Sequence, residues 1–286
     1  DSVPVRRLRE AGAVVLGTTP MTEFGMSPLG GNVHRVMPRN AHRDDRLPGG
    51  SSSGSGVAVA CGVVPIALGA DGGGSIRIPA AYNGVFGIKP TFGRVPVVGH
   101  GLPGGSSVVH LGPIGASSHD LAVFLEAASG PDPRDASSER QPVFEQNELA
   151  EAIGRGVRGL RIGVDEDEWA AASPMVRSKG RDALDALEKE GAVLVPVSML
   201  LAKHASAIGY LTIGIEVATN LATVRRDHFD ELGLDLQLLL ANLETFPPDG
   251  YLDAQRLRAE LRREVAALLA SVDVLALPTT ANTAPA

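Results

Sequence analysis

The sequence predicts an α/β fold in which helices cover a buried sheet. Short apolar runs that are typical of buried strands alternate along the whole chain with segments of helical periodicity. Hydrophobic residues make up 44% of the 286 residues and aromatic residues only 4%, which fits an ordinary globular core. The 34 glycines and 20 prolines supply many tight turns between the elements.

The first 129 residues contain the elements that surround the chemistry. Periodicity and turn residues predict helices at 3–11, 51–62 and 119–129, strands at 13–16, 63–68 and 85–88, and a glycine turn at 72–75 leading into a short helix that ends at 81. Ser118 is the expected N-cap of the helix at 119–129. Residues 91–117 are rich in Gly, Pro and Ser and are predicted to form a long loop.

The remaining residues continue the alternation after a polar, irregular stretch at 130–158. Strands are predicted at 160–164, 193–197 and 272–277, with mostly helical structure over 199–243 and an amphipathic helix at 257–269. Another helix is expected to begin with Ser173 as N-cap and Pro174 at the first helical position, and to end at Gly191.

Charge and composition exclude several classes of partner. The formal net charge is −7 with no block of like charge, which argues against nucleic acid or an anionic membrane. Cys61 is the single cysteine, so no internal disulfide can form, which fits a reducing compartment. The most apolar run, residues 57–70, contains Gly62 and Pro65 and is too short to span a bilayer. The default expectation is a cytoplasmic enzyme.

The seven histidines are scattered along the chain, and none has the spacing of metal ligands. We therefore expect neither a metal nor another cofactor.

A run of three glycines before a serine is the first of two unusual segments. In Asp71–Ser75, Gly72, Gly73 and Gly74 can adopt backbone conformations closed to other residues and can aim several N–H groups at one point. Such donors could hold a developing oxyanion while Ser75 attacks a carbonyl carbon. A turn that only lets a helix pack closely explains the glycines equally well. A phosphate loop is disfavoured because no Gly-Lys-[Ser/Thr] follows.

The second segment, at residues 49–56, reads Gly-Gly-Ser-Ser-Ser-Gly-Ser-Gly. Residues 50–54 match Gly-x-Ser-x-Gly, which would make Ser52 the nucleophile of an α/β-hydrolase elbow. That elbow must follow a buried strand, whereas this segment follows the polar residues 43–49. The interpretation of Ser52 as a nucleophile is therefore disfavoured.

Taken together, the two segments resemble the amidase signature family. That family pairs Gly-Gly-Ser-Ser with a later Gly-Gly-Ser-Ile-Arg-x-Pro-Ala, and here Ser51 and Ser75 stand at the family's spacing. The resemblance covers nearly the whole chain and extends to segments on both sides, at residues 8–17, 21–24, 87–95, 110–113 and 130–133. It implies a three-layer α/β/α sandwich around a mixed, largely buried sheet. Residues 1–286 would form a single, incomplete amidase-type domain.

The resemblance also implies a Ser–Ser–Lys mechanism. Ser75 would be the nucleophile, and Ser51, in a cis peptide linkage, would relay its proton to an uncharged lysine. The backbone N–H groups of Gly72, Gly73 and Gly74, with that of Ser75, would form the oxyanion hole. Three further side chains would support the loops, namely Asp71, Arg77 and Ser52.

The family's lysine has no counterpart here. It precedes the Gly-Gly-Ser-Ser segment, whereas the first lysine of this chain, Lys89, follows Ser75 and matches a different family segment. Two explanations stay open: a fragment of a longer protein, cut at the N-terminus alone or at both termini, or a short protein that has lost catalysis. Under both, we expect the isolated chain to hydrolyse amides poorly and to leave a sheet edge or cavity uncovered.

The first functional hypothesis is hydrolysis of the C–N bond in a small, linear carboxamide. Alternatives are a non-catalytic amidase-like binding protein and the A-subunit of an aminoacyl-tRNA amidotransferase, although such subunits usually carry Gln where Ile78 stands. A homodimer is compatible with the sequence. Glu23 is expected to be structural, and Asn83, where many relatives have cysteine, is assigned no role.

Overall fold

A computed structural model describes residues 1–100, 107–145 and 147–286. The helices in chain order are α1 (Val3–Glu10), α2 (Ser53–Ala60), α3 (Arg77–Tyr82), α4 (Ser118–Ala128), α5 (Glu148–Ile153), α6 (Glu166–Ala170), α7 (Pro174–Lys189), α8 (Ala205–Asn220), α9 (Ala222–Asp227), α10 (Leu234–Glu244) and α11 (Pro248–Leu268). The strands are β1 (Ile66–Asp71), β2 (Phe86–Gly87), β3 (His110–Gly115), β4 (Arg161–Val164), β5 (Val193–Pro196) and β6 (Val274–Ala276). The predicted α/β fold is confirmed.

The chain divides into two compact units. The first contains residues 1–154 and 216–241 with Ala286, and the second contains residues 155–215 and 242–285. Each unit has its own three-stranded sheet, antiparallel in the first and parallel in the second. The assignment of residues 1–286 to a single domain stays a prediction.

The sheet of the first unit lies between two layers of helices. Strand β3 is central and pairs antiparallel with both β1 and β2. Because side chains alternate along a strand, Leu68 and Leu111 face a cluster with Phe124 of α4, whereas Ile114 faces Ile76 and helices α2 and α3. This layering holds the loops that precede α2 and α3 on the same side of the sheet.

Strand β3 corrects the prediction of an uninterrupted loop over residues 91–117. Residues 110–115 form the central strand although Pro113 lies within it. Ile88 donates its N–H to the carbonyl of Pro113 at 3.1 Å, but proline has no N–H to return. The missing donor explains why β2 is only two residues long. Residues 101–106 of the predicted loop lie outside the described residues.

The predicted strand at residues 13–16 is wrong. These residues carry no strand assignment, and Val14 and Leu16 are 82% and 69% exposed. An apolar run forms a strand only when another strand supplies backbone partners, and none of the described residues does so here. A smaller correction concerns α4, whose N-cap is Ser117: its hydroxyl accepts the N–H of Asp120 at 3.1 Å.

The parallel sheet of the second unit has β4 between β5 and β6. Ile162 and Val164 of β4 pack against Leu184 of α7 and against Trp169, whose Nε1 donates to the carbonyl of Ala276 at 3.0 Å. Helix α7 begins at Pro174 after Ser173, as predicted, although the Ser173 side chain makes no capping hydrogen bond. No helix in the described part of the chain is long and apolar enough to cross a membrane.

Candidate active site

A buried carboxylate organises the glycine turn between β1 and α3. Asp71 is fully buried and accepts the backbone N–H groups of Gly74 at 2.7 Å and Ile76 at 3.1 Å. The Arg77 guanidinium binds the same carboxylate through Nε and a terminal nitrogen, both at 2.9 Å. This bidentate ion pair and the two backbone hydrogen bonds together hold the glycine turn in place.

Electrostatics keep the Asp71 carboxylate charged. Burial by itself would raise the pKa of Asp71, but the hydrogen bonds and charge of Arg77 and the N–H groups of the turn outweigh it, so the pKa lies below its ordinary value. The same pairing raises the pKa of Arg77. The turn is therefore held by a permanent ion pair at neutral pH.

Ser75 lies at the start of α3, immediately after the glycines. Gly74 has a φ of 126°, a conformation open to glycine, and a Cβ on it would lie 2.7 Å from Cδ1 of Ile78. Because the N–H of Gly74 is bonded to Asp71, it is already occupied. The Gly74 N–H is thus used within the turn, and the oxyanion role expected of Gly72, Gly73 and Ser75 stays a prediction.

The peptide bond between Gly50 and Ser51 is cis, as the resemblance implied. Ser51 is buried, and its carbonyl accepts the N–H of Thr22 at 3.1 Å. The neighbouring Ser52 donates its N–H to the carbonyl of Ser75 at 3.1 Å. This last bond joins the two segments that the sequence singled out, whose serines Ser51 and Ser75 lie 24 residues apart.

The hydroxyls of the other serines of this segment donate to backbone carbonyls. The Ser52 hydroxyl bonds to both the N–H and the carbonyl of Ala70, at 3.1 and 3.3 Å. The Ser55 hydroxyl donates to the carbonyl of Leu68 at 2.8 Å. Both acceptors belong to β1, so these hydroxyls occupy backbone groups on the edge of β1 that faces away from β3.

An apolar groove of about 660 Å³ opens beside Ser51 within the first unit. The exposed run at residues 13–16 lines one part of the groove, and β1 with the end of α2 lines another. The side chains of Leu111 and Phe124 also line it. Its volume lies within the range of small-molecule sites.

Lys89 lies near the ion pair, but its contacts differ from those of a proton acceptor for serine. Its Nζ donates to the carbonyl of Pro90 at 2.9 Å. Burial and then the charge of Arg77 lower its pKa, and Asp71 only partly opposes them. Lys89 therefore places a positive charge near Asp71 and Arg77, and its ammonium group donates to the Pro90 carbonyl.

His110 stands opposite Asp71 in the register of β1 and β3. Its Nδ1 contacts two carbonyl oxygens, those of Val108 at 2.6 Å and Asp71 at 3.2 Å, so Nδ1 carries the proton. Burial and the charge of Lys89 lower its pKa, which favours the neutral ring. From the sequence, His110 was one of seven scattered histidines without metal-ligand spacing, and its place beside the turn was not predicted.

Glu23 is structural in its contacts, as predicted. Its buried carboxylate accepts the N–H of Gly233 at 2.9 Å and lies 3.2 Å from Nε2 of His34. Among the residues that the structure describes, no cluster of His, Cys, Asp and Glu is arranged to hold a metal ion.

With fold and site in place, comparison with known proteins defines the class. The amidase family model matches residues 1–286, and the chain belongs to that family. Its relatives include the glutamyl-tRNA(Gln) amidotransferase A-subunit from Akkermansia muciniphila, 34% identical over 100% of this chain and 65% of that protein. The corresponding protein from Thermus thermophilus is 36% identical over 99% of this chain and 64% of that protein. The chain thus spans just under two thirds of these relatives.

Solved structures give the same class. A protein from work on a vestigial complex and the evolutionary origins of an s-triazine catabolic enzyme is 34% identical, with a TM-score of 0.92 over 100% of this chain and 61% of that one. The peptide amidase from Stenotrophomonas maltophilia is 30% identical, with a TM-score of 0.76 over 99% of this chain and 66% of that one. The chain is therefore similar both to amidases and to amidotransferase subunits.

Proposed function

We propose that the protein is a serine amidase that hydrolyses the C–N bond of a small, linear carboxamide through an acyl-enzyme on Ser75. The observation that carries the proposal is the hydrogen bond from the N–H of Ser52 to the carbonyl of Ser75. It brings the Ser51 segment, with its cis peptide bond, against the turn that Asp71 holds in place.

In the proposed reaction, Oγ of Ser75 attacks the carbonyl carbon and its proton passes to Ser51 and on to a base. The N–H groups of Gly72, Gly73 and Ser75 hold the carbonyl oxygen as it becomes negative. Collapse of the tetrahedral intermediate breaks the C–N bond, and the leaving ammonia or amine takes the proton. Water then attacks the ester and releases the carboxylic acid.

The base is the lysine that the family resemblance implies, and we infer that it comes from outside these 286 residues. The chain has four lysines, and none precedes Lys89. The contact of Lys89 Nζ with the Pro90 carbonyl argues for a structural role of Lys89. The remaining three, Lys179, Lys189 and Lys203, belong to the second unit.

A serine-directed fluorophosphonate probe on the complete gene product tests the proposal. We expect covalent labelling that Ser75→Ala abolishes and that Ser51→Ala slows by at least ~100-fold, because an unassisted serine is a weak nucleophile. Ser53→Ala, which removes a hydroxyl bonded to the Gly49 carbonyl, is the matched control in the same segment. Absence of labelling, or labelling that survives Ser75→Ala, would favour a non-catalytic binding protein.

A second candidate, the A-subunit of an amidotransferase, is favoured by the names of the relatives. Ile78 is the residue that argues against the second candidate. A Cβ on Gly74 would lie 2.7 Å from the Ile78 side chain, and a Cβ on Gly49 would lie 3.1 Å from it. It fills apolar space between the two serine segments, where the usual glutamine of such subunits would place an amide. Hydrolysis of small amides without any partner protein supports the amidase, whereas strict dependence on copurifying proteins supports the second candidate.

A further inference from the structure

Asn83 is a buried side chain that the proposed reaction does not use. It is fully buried at the end of α3, and its amide nitrogen donates to the carbonyls of Pro48 at 2.7 Å and Pro79 at 2.8 Å. Its side-chain oxygen accepts the N–H of Ala41 at 3.0 Å. Both amide hydrogens and the carbonyl are thus engaged, which only asparagine satisfies at this length.

These bonds attach the loop at residues 40–48 to the C-terminal end of α3. The attachment is reinforced next to Asn83, since its backbone carbonyl accepts from Nε2 of His42 at 2.8 Å. The side-chain amide of Asn40 also donates to the carbonyl of Tyr82 at 2.7 Å. The loop at residues 40–48 is therefore joined to the end of α3 by several hydrogen bonds.

Pro48 stands three residues before Ser51, so the attachment reaches the candidate site. The intervening Gly49 lies against the helix: a Cβ on it would be 2.9 Å from Cδ2 of Tyr82 and 3.1 Å from Cγ2 of Ile78. Helix α3 itself begins two residues after Ser75. One short helix thus has Ser75 just before its first residue and is joined at its end, through Asn83 and Pro48, to the segment of Ser51.

We propose that Asn83 is a positioning residue that fixes Ser51 relative to Ser75 for the proton relay. The inference rests on the proposed function and assigns to Asn83 a part in it. Asparagine is required because aspartate would set carboxyl oxygens against the carbonyls of Pro48 and Pro79, and a shorter side chain would lose at least one of those bonds. A displacement of Ser51 by about 1 Å is enough to cost up to ~100-fold in rate.

A double-mutant cycle with Ser51 separates positioning from a general effect on folding. The second-order rate of Ser75 labelling by a fluorophosphonate is measured on the complete gene product for wild type, Asn83→Asp, Ser51→Ala and the double variant, over hours so that slow rates are resolved. We expect Asn83→Asp to slow labelling about 10- to 100-fold in the wild type and less than about 3-fold in the Ser51→Ala background.

Ser138→Ala is the matched control, since Ser138 is also fully buried and bonds to the carbonyls of Asp132 and Asp135 in the same unit. It is expected to lower the melting temperature without changing the labelling rate. Asn83→Ser, which keeps one donor, repeats the cycle with a milder change should Asn83→Asp fold poorly.

The outcomes separate the role of Asn83 from the proposed function. An Asn83 effect of the same size with and without the Ser51 hydroxyl, or no effect in the wild-type background, overturns the positioning role while leaving the proposed function intact. Labelling of wild type that does not depend on Ser75 overturns the proposed function and the role of Asn83 with it.

Discussion

At the residue scale, Asp71 decides the geometry of the turn that carries Ser75. The glycines allow the turn, but a chain of glycines has many conformations, and the carboxylate selects one by accepting N–H groups of Gly74 and Ile76. Arg77 supplies the charge that keeps the carboxylate ionised in its buried position. The positions of the proposed oxyanion donors therefore depend on the Asp71–Arg77 ion pair.

Replacing Asp71 with asparagine should destabilise the fold. The variant keeps the size of the side chain but leaves Arg77 without its counter-charge and replaces an acceptor oxygen with an amide group. We expect a loss of about 2–4 kcal/mol in the free energy of unfolding, below the full cost of a broken buried pair because Arg77 is 44% exposed. Urea denaturation measures it. Asp182→Asn, at the exposed pair with Lys179, is the control and should show no measurable change.

The same ion pair predicts a pH dependence. Because the pKa of Asp71 is lowered in the folded state, its contribution to stability is present above the unfolded pKa of about 3.9. It is lost as the pH falls through the folded value. The difference in unfolding free energy between wild type and Asp71→Asn should thus be constant near neutral pH and shrink below about pH 4. A difference that grows on acidification would contradict this assignment.

At the element scale, the turn and α3 act together. Ser75 is presented at the start of a six-residue helix whose end is tied by Asn83 to the segment of Ser51. On the facing strand, β3, Pro113 ends the pairing with β2, while the pairing of β1 with β3 continues to Asp71 and His110. The end of the β1–β3 ladder is thus where the glycine turn begins.

A methyl group at Gly74 should damage this element more than one at another glycine of positive φ. Gly74→Ala combines a φ of 126° with a Cβ 2.7 Å from Ile78, whereas Gly62→Ala has a φ of 70° and open space around it. We expect a loss of about 2–3 kcal/mol for Gly74→Ala and about 1 kcal/mol for Gly62→Ala. Thermal unfolding of both variants checks the order, and equal losses would show that crowding at Ile78 is unimportant.

At the scale of the whole molecule, the apolar groove beside Ser51 leaves nonpolar side chains of the first unit exposed. Val14 and Leu16 on its wall are largely exposed, and the hydroxyls of Ser52 and Ser55 occupy only part of the nearby edge of β1. The relatives extend beyond the matched region, since the chain covers 64–65% of them. These observations agree with a proton acceptor that lies outside the 286 residues.

The purified 286-residue chain should therefore show no amide hydrolysis that depends on Ser75. Release of ammonia from simple aliphatic and aryl amides is compared for the chain and its Ser75→Ala variant, with equal background rates expected. A clear excess for the unchanged chain would mean that a group within these residues serves as the base.

The sequence by itself determined the family and most of the elements, and it singled out Ser51 and Ser75 for the proposed chemistry. Glycine runs and serines at a fixed spacing are local features, and helices such as α7 follow from local periodicity and capping residues.

Tertiary structure decided the strand pairing and the partners of individual backbone groups, because both depend on residues that are distant in the sequence. Pairing made residues 110–115 a strand despite Pro113, and residues 13–16 form no strand because no other strand among the described residues pairs with them. Contacts also occupied the N–H of Gly74 and joined Asn83 to Pro48, 35 residues away. Every residue except proline carries the same backbone N–H and C=O groups, so only the folded arrangement specifies their partners.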